Sequence, residues 1–176
     1  AFQGVAGAYS EEAIRQFFGV TVEGVPCKTF QDIFLAVEGG DADYAMLPVE
    51  NATAGSVTQS YELLMEHDLR VNAEVILRVH HMLMAVPGVQ LADVRRVRSH
   101  PQALAQCERY LSRHGMEAIP AFDTAGSARE LAENPEPTTA AIASALAAEL
   151  YGLEILDRNI EDITFNYTRF FLLGMD

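Results

Sequence analysis

The chain has 176 residues and a formal net charge of −13, with 12 Lys and Arg against 25 Asp and Glu. This length can bury a substantial core, and it is short for two independent domains. Hydrophobic residues make up 49% of the chain and charged residues 21%, which excludes a disordered chain and a coiled coil. The acidity argues against nucleic acid and anionic lipid as partners, because both attract basic surfaces. No apolar stretch reaches the roughly 18 residues of a membrane span.

Two features bear on the cellular compartment. The chain begins Ala1-Phe2-Gln3, without the basic start and apolar run of a secretory signal. Cys27 and Cys107 are its only cysteines, too few for a disulfide framework. We therefore expect a reducing environment and a cytoplasmic location.

In the first part of the chain, helical periods are closed by glycine. A helix is predicted over 10–18 and ends at Gly19, and a second runs from Phe30 to the pair Gly39-Gly40. A third is predicted over about 57–67, and strict alternation over 71–79 then predicts a long strand. Strands and helices in this order are typical of an α/β protein.

The third helix carries two specific expectations. Ser56 and Gln59 have the spacing of a capping box, so the helix should begin just after Ser56. Val57, Tyr61 and Leu64 recur at helical spacing and should face the core.

The same alternation continues to the end of the chain. Strands are predicted near 94–98, 116–121, 140–142 and 170–173, and helices near 101–114, 124–133 and 144–151. The order of elements fits two lobes within a single domain, 1–176. The first lobe should comprise about 1–75 plus 165–176, and the second about 76–164.

Polar, turn-forming segments lie at several strand-to-helix joins, where open α/β sheets bind their ligands. They occupy 4–10, 50–56, 99–102 and 123–124. Helix N-termini at such joins present free backbone N–H groups that suit an anion. The same residue types also cap helices, and capping alone explains any single join. Only their combination points to a site.

Six segments of the chain resemble the prephenate dehydratase family, in order and at compatible spacing. They are GVAGAYSEEA at 4–13, ADYAMLPVENATAGSV at 42–57, SHPQALAQC at 99–107, DTAGSA at 123–128, AAIASALAAELYGLEIL at 140–156 and NYTRF at 166–170. The resemblance implies a two-lobed α/β fold similar to type II periplasmic binding proteins, with the active site in a cleft between the lobes. It also implies a homo-oligomer, a dimer or a tetramer.

The activity that the resemblance implies is the conversion of prephenate to phenylpyruvate in phenylalanine biosynthesis. This decarboxylative dehydration, catalysed by a carbon-oxygen lyase, needs no cofactor and no metal. The segment GAYS at 7–10 is a version found in arogenate dehydratases, so arogenate is an alternative substrate. A non-catalytic binding domain of the same fold is the other alternative. The phenylalanine-binding ACT domain that family members often carry is not in this chain.

The resemblance also assigns site residues. The family's Thr-Arg-Phe motif falls on Thr168, Arg169 and Phe170, with Thr168 as the catalytic hydrogen-bond donor to the departing hydroxyl. Arg169 could pair with a substrate carboxylate or be a surface charge, and Phe170 could pack on the substrate ring or equally lie in the core. Strand alternation puts Arg169 on the opposite face from the other two. Further substrate-binding positions carried over from the family are Asn51, Ser99, Gln106, Ser10, Ser56 and Gln102.

Other chemistries find no support in the sequence. The histidines lack a metal-binding spacing such as HExxH, and a structural role is expected for His80 and His81. The segment 4–10 has neither GxGxxG nor the lysine of a Walker loop. Ala8 and Ala52 stand where the family often has hydroxyl residues, which removes two potential contacts to substrate.

Overall fold

The computed structural model describes all residues, 1–176, and they form two compact units. The first unit comprises Ala1–Val79 and Phe165–Asp176, and the second comprises His80–Thr164. Each unit is built on its own mixed sheet with helices packed against it. No helix in the chain combines the length and the apolar composition that crossing a membrane requires.

Eleven strands and seven α-helices make up the chain. The strands are β1 (Phe2–Gln3), β2 (Pro26–Cys27), β3 (Ala45–Asn51), β4 (Gly55–Ser56), β5 (Arg70–Arg78), β6 (Met82–Ala85), β7 (Arg96–Ser99), β8 (Glu117–Pro120), β9 (Thr139–Ala143), β10 (Glu154–Asp157) and β11 (Tyr167–Gly174). The helices are α1 (Tyr9–Phe18), α2 (Phe30–Glu38), α3 (Thr58–Glu66), α4 (Pro101–Gln106), α5 (Glu108–Arg113), α6 (Thr124–Glu133) and α7 (Ala145–Tyr151), with a 3-10 turn at Leu91–Asp93.

The sheet of the first unit has the order β2-β1-β3-β11-β5, and β4 pairs with β3 outside this path. The C-terminal strand β11 is antiparallel to both β3 and β5. Apolar side chains from its two faces enter different cores. Phe170 and Leu172 pack with residues of α1, whereas Leu173 packs with residues of α2 and α3. The strand that carries the Thr-Arg-Phe motif therefore pairs with a strand on each edge and packs against apolar residues on both faces.

The predicted lobe boundary near residue 75 falls inside β5. This strand pairs with β11 from Arg70 to Arg78, and because a paired strand moves with its sheet, the first unit extends to Val79. The chain returns from the second unit to the first after Thr164.

The third helix corrects two sequence-based expectations. Ser56 lies in β4, and the helix begins at Thr58 after Val57, which provides no side-chain cap. The buried residues are Ser60 and Leu63, while Tyr61 is exposed. Ser60 turns inward because its hydroxyl donates a hydrogen bond of 2.6 Å to the carbonyl of Pro48, which offsets the cost of burying it. This contact shifts the buried face by one residue from the predicted one.

The sheet of the second unit has the order β10-β6-β9-β7-β8. β7 is parallel to β8 and β9, whereas β6 is antiparallel to β9 and β10. Every residue of β9 is buried, which explains its continuous apolar run. Strand β6 is also fully buried and was not predicted as a separate strand.

The helix predicted over 101–114 is two helices that meet at Cys107. Asp162 separates them, since its backbone N–H donates 2.7 Å to the carbonyl of Gln106 and its carboxylate accepts 3.2 Å from the N–H of Arg109. An uninterrupted helix would use both groups for its own hydrogen bonds. A residue more than 50 positions away therefore ends α4, which local periodicity could not indicate.

Candidate active site

Asn51 and Thr168 are cross-strand partners at the adjoining ends of β3 and β11. The Asn51 carbonyl oxygen Oδ1 accepts hydrogen bonds from the backbone N–H of Thr53 at 3.0 Å, from its hydroxyl at 2.7 Å and from the N–H of Ala54 at 3.0 Å. Gly55, with φ of 85°, completes the turn to β4. Three donors at Oδ1 define which way the amide faces, because the Nδ2 group could not accept from them.

The other end of the Asn51 amide faces the motif strand. Its Nδ2 lies 2.9 Å from the hydroxyl Oγ1 of Thr168, 2.9 Å from Oδ1 of Asn166 and 3.2 Å from the carbonyl of Tyr167. The Thr168 hydroxyl acts as an acceptor in this bond, so its own proton remains to be donated. A hydroxyl group whose oxygen accepts one hydrogen bond becomes a stronger donor through its own O–H. Thr168 is half-buried at this point.

A β-bulge in β3 adjoins this pair. Arg169 pairs with Glu50, but Phe170 pairs with Pro48, so one residue of β3 has no direct partner. Bulges bend a strand and change the direction of nearby side chains, and they are frequent beside active sites.

Arg169 pairs with carboxylates of the protein itself. Its Nε and a terminal nitrogen lie 2.7 and 3.0 Å from the two oxygens of Glu74 on β5, and Glu50 lies 4.0 Å away. Its guanidinium lies 5.1 Å from the ring centre of Phe171, on the opposite face from Phe170. The bidentate bond to Glu74 occupies one of the edges through which the guanidinium can hold a carboxylate. Arg169 therefore joins β11 to β5.

Phe170 is a core residue. Its side chain is 1% exposed and packs with Phe2, Ala13 and Val75 in the cluster beneath α1. Of the two positions considered for Phe170, the burial of its side chain favours the core, because almost no ring surface is left for a ligand to touch.

Ser10 and Ser56 lie apart from the Asn51–Thr168 pair in their hydrogen bonding. Ser10 is half-buried in the first turn of α1, and Ser56 is exposed and pairs with Glu50 through the backbone of β4. Neither hydroxyl bonds to Asn51 or Thr168.

The remaining predicted residues belong to the second unit. Ser99 is completely buried, and its hydroxyl donates 2.7 Å to the carbonyl of Ile142 on β9. It holds two strands together and is not accessible to substrate. Gln102 is exposed at the start of α4, where the side chain of His100 accepts its N–H at 3.0 Å.

Gln106 is partly buried and contacts His81, with 2.6 Å between its Oε1 and the Nε2 of the imidazole. Burial lowers the pKa of His81, opposed by this hydrogen bond and by Glu161. A neutral imidazole that donates from Nε2 to Gln106 fits both facts.

Glu161 and Asn166 are polar residues of these networks that sequence reasoning missed. The buried carboxylate of Glu161 lies 2.9 Å from Nδ1 of His80 and accepts the backbone N–H of His81 at 2.9 Å. In the sequence, Glu161 stands next to Asp162, and two adjacent acidic residues are typical of a solvent-exposed segment. Asn166, which is 1% exposed, is part of the quoted NYTRF segment and could have been found there. No group of three or more His, Cys, Asp or Glu side chains that could hold a metal ion occurs in the chain.

The fold and this constellation define an α/β domain with a hydroxyl-amide pair across two neighbouring strands, β3 and β11. The family model described as prephenate dehydratase matches residues 1–176. The chain therefore belongs to the prephenate dehydratase family.

The chain is similar in sequence to larger proteins. It is 49% identical over 180 residues to arogenate dehydratase/prephenate dehydratase 6, chloroplastic, of Arabidopsis thaliana, covering 100% of this chain and 43% of the relative. It is 47% identical over 173 residues to the bifunctional N-acyl-homoserine lactone acylase/prephenate dehydratase of Komagataeibacter europaeus, covering 98% of this chain and 61% of the relative. The chain thus spans about half of each relative.

Solved structures share the fold. The prephenate dehydratase of Arthrobacter aurescens, in complex with L-Phe, superposes with a TM-score of 0.89 at 34% identity, covering 98% of this chain and 59% of that one. A nutrient-binding protein of Burkholderia cenocepacia superposes with a TM-score of 0.51 at 13% identity, covering 99% and 84%. The latter shows likeness of fold alone, and it confirms the expected architecture of type II periplasmic binding proteins.

The expected cytoplasmic location is wrong on these comparisons. Several of the matched relatives are named as chloroplastic proteins. The expectation rested on the first residues of the chain and on two isolated cysteines. The cysteines indicate a reducing compartment without distinguishing one such compartment from another.

Proposed function

We propose that this chain is the catalytic domain of a prephenate dehydratase, a carbon-oxygen lyase that converts prephenate to phenylpyruvate in phenylalanine synthesis. Membership of the family supports the reaction class. The observation that carries the proposal is the Thr168 hydroxyl, which accepts a hydrogen bond of 2.9 Å from Asn51 and keeps its own proton for a ligand.

The reaction breaks two bonds of the substrate ring. The electrons of the carbon–carboxylate bond become part of the aromatic ring as carbon dioxide leaves. The electrons of the carbon–hydroxyl bond leave with the oxygen, which takes up one proton to become water. Aromatisation drives the process, so the protein has to stabilise negative charge that develops on the departing oxygen.

Thr168 is suited to this task as a hydrogen-bond donor. A preorganised donor aimed at a developing oxyanion contributes about 3 to 4 kcal/mol to the transition state. An alcohol is a very weak acid, so we assign Thr168 hydrogen-bond donation and leave full proton transfer to another group. Asn51 acts as a positioning residue, because its amide is held by the β3–β4 turn and in turn holds the Thr168 oxygen.

The substrate-binding positions divide by what their polar groups already do. Asn51, Ser10, Gln102 and Gln106 stay candidates for contact with substrate, because each is at least partly accessible. Ser99, Phe170 and Arg169 are committed to the protein itself, as a strand tie, a core residue and an ion pair. Ser56 is a surface residue of β4, and we assign it no contact.

Arogenate is the second candidate substrate. The chain has GAYS at 7–10, with Ala8 in place of a hydroxyl residue, and several relatives are named arogenate dehydratases. Arogenate differs from prephenate in carrying an amino group on the side chain, and the departing hydroxyl and carboxylate are the same. The role of Thr168 is therefore unchanged, and only the groups that hold the side chain would differ.

The decisive experiment offers both substrates to the purified chain in parallel, at neutral pH. Phenylpyruvate is read by its absorbance in alkali, and phenylalanine by amino-acid analysis. We expect turnover with a higher kcat/KM for prephenate. A higher kcat/KM for arogenate would make the chain an arogenate dehydratase, and a folded protein that turns over neither would support a non-catalytic binding domain.

We also propose that the chain assembles as a homo-oligomer, a dimer or a tetramer, as the family resemblance implies. Light scattering on the eluate of a sizing column gives the mass directly. A mass of 19.3 kDa at all concentrations would contradict this part of the proposal.

A further inference from the structure

The second unit contains a cavity of about 430 Å³ between α5 and the segment that follows β10. Arg109, Tyr110 and Arg113 of α5 line one side, and residues 157–162 line the other. This volume is within the range of pockets that hold metabolites. None of the residues predicted for the catalytic site lines it.

Three arginines converge on this cavity. Arg109, Arg113 and Arg158 are a quarter of the 12 basic residues of a chain whose net charge is −13. None of the three takes part in any ion pair of the structure, whereas Arg98 and Arg169 do.

The carboxylates of the same walls are already satisfied by other donors. Asp157 accepts the Tyr110 hydroxyl at 2.8 Å and the N–H of Arg158 at 2.9 Å, and Asp162 accepts the N–H of Arg109 at 3.2 Å. Glu161 is buried and bonds to His80 and His81. Each of these three carboxylates thus accepts at least one hydrogen bond from the protein, whereas no hydrogen bond or ion pair of the structure engages the three guanidinium groups.

The arrangement also places like charges close together. Arg109 and Arg113 are four residues apart on one helix, a spacing at which like charges repel. The guanidinium of Arg113 lies 5.9 Å from the ring centre of Tyr110, which orients it beside the cavity. Asn159, the only residue other than glycine with a positive φ, at 53°, lies in the facing wall. An anion between the guanidinium groups would relieve the repulsion.

We propose that this cavity binds a small polyanion, a ligand with at least two carboxylate or phosphate groups, through Arg109, Arg113 and Arg158. A guanidinium pairs with either oxyanion in a bidentate manner, and three of them around one cavity select for more than a single negative charge. The proposal concerns binding alone, and it holds whichever substrate the chain turns over.

The test measures binding of two probes to the whole chain by isothermal titration calorimetry. Citrate represents the polycarboxylates and pyrophosphate the phosphates. A titration with potassium chloride at equal ionic strength is the control for nonspecific effects of salt. The variants are Arg109→Ala/Arg113→Ala and Arg158→Ala. Arg129→Ala, an exposed arginine on α6 of the same unit, is the matched control. Thermal unfolding of each variant verifies that it is folded.

We expect saturable binding of at least one probe to the wild type and to Arg129→Ala, weakened about tenfold or more in the cavity variants, as expected when charge-assisted bonds are lost. The probe that binds identifies the carboxylate or the phosphate class. Equal binding by all four proteins would overturn the proposal, because the anion would then bind elsewhere. The absence of saturable binding of both probes would overturn it as well.

Discussion

At the scale of single residues, Asn51 connects the backbone of a turn to a candidate catalytic hydroxyl. Its oxygen is held by Thr53 and Ala54, and its nitrogen holds Thr168. The oxygen of the amide therefore holds the turn and its nitrogen holds Thr168, and a substitution can remove one of these contacts while it keeps the other.

We predict that Asn51→Asp lowers kcat by about tenfold or more, because the loss of an oriented donor costs at least this much at comparable sites. Aspartate keeps an oxygen for Thr53 and Ala54, so the turn should survive, but it cannot donate to Thr168. The thermal midpoint should change by only a few degrees. If kcat stays within about twofold of wild type, Asn51 does not position Thr168.

The sequence was informative about those residues whose partners lie in recognisable segments. Thr168 and Asn51 both belong to motifs of the family, and they are in contact. Arg169 was ambiguous because its partner Glu74 lies 95 positions away in a strand with no motif. Phe170 is apolar, and a motif alone cannot distinguish a ring that touches substrate from one that fills the core.

At the scale of secondary-structure elements, β11 is the part of the fold that organises the site. It pairs with β3 on one side and β5 on the other, and the ion pair between Arg169 and Glu74 fastens it to β5 beside the bulge. Alternation along the strand correctly placed Arg169 opposite Phe170. Periodicity failed for α3 and at the break between α4 and α5, where Pro48 and Asp162 supply contacts from distant parts of the chain.

We predict that Arg169 acts on turnover through Glu74. Arg169→Ala and Glu74→Ala should both lower kcat, with little loss of stability, since an exposed ion pair contributes little to the free energy of unfolding. The double variant Arg169→Glu/Glu74→Arg restores the pair in reverse and should recover part of kcat.

The control for this swap is Glu66→Arg, an exposed residue at the end of α3. It should leave kcat unchanged. If the double variant recovers no kcat and every Arg169 variant has a much higher KM, Arg169 binds the substrate instead.

At the scale of the whole molecule, the division into two sheets followed from the order of the elements, and its boundary did not. The boundary depends on how far β5 pairs with β11, which is a long-range property. The net charge of −13 likewise gives no indication that three arginines line one cavity.

The buried His81 makes stability depend on pH. Burial lowers its pKa in the folded state below the ordinary value near 6.5, so the unfolded chain binds the proton more readily. The contribution of His81 to the free energy of unfolding is therefore fully present above its pKa in the unfolded chain. It is lost as the pH falls through that value towards the pKa in the folded state. His80, Glu161 and Gln106 are the polar groups that face it.

We predict that His81→Gln loses less stability than the wild type between about pH 7.5 and about pH 5.5. Glutamine can still donate to Gln106 but does not titrate. Urea unfolding at both pH values measures the difference, with His114→Gln, an exposed histidine of the same unit, as the control. An identical loss in the wild type and in His81→Gln would show that His81 is not responsible.

The measurement that tests the central claim most directly is the kcat for prephenate of Thr168→Val, compared with Thr168→Ser. Valine keeps the shape of threonine and removes the hydroxyl, whereas serine keeps the hydroxyl. We predict that valine lowers kcat by about 100-fold or more, the effect of removing one oriented donor, and that serine stays within about tenfold of wild type. A Thr168→Val protein that turns over prephenate within about threefold of the wild-type rate would contradict the assignment of Thr168.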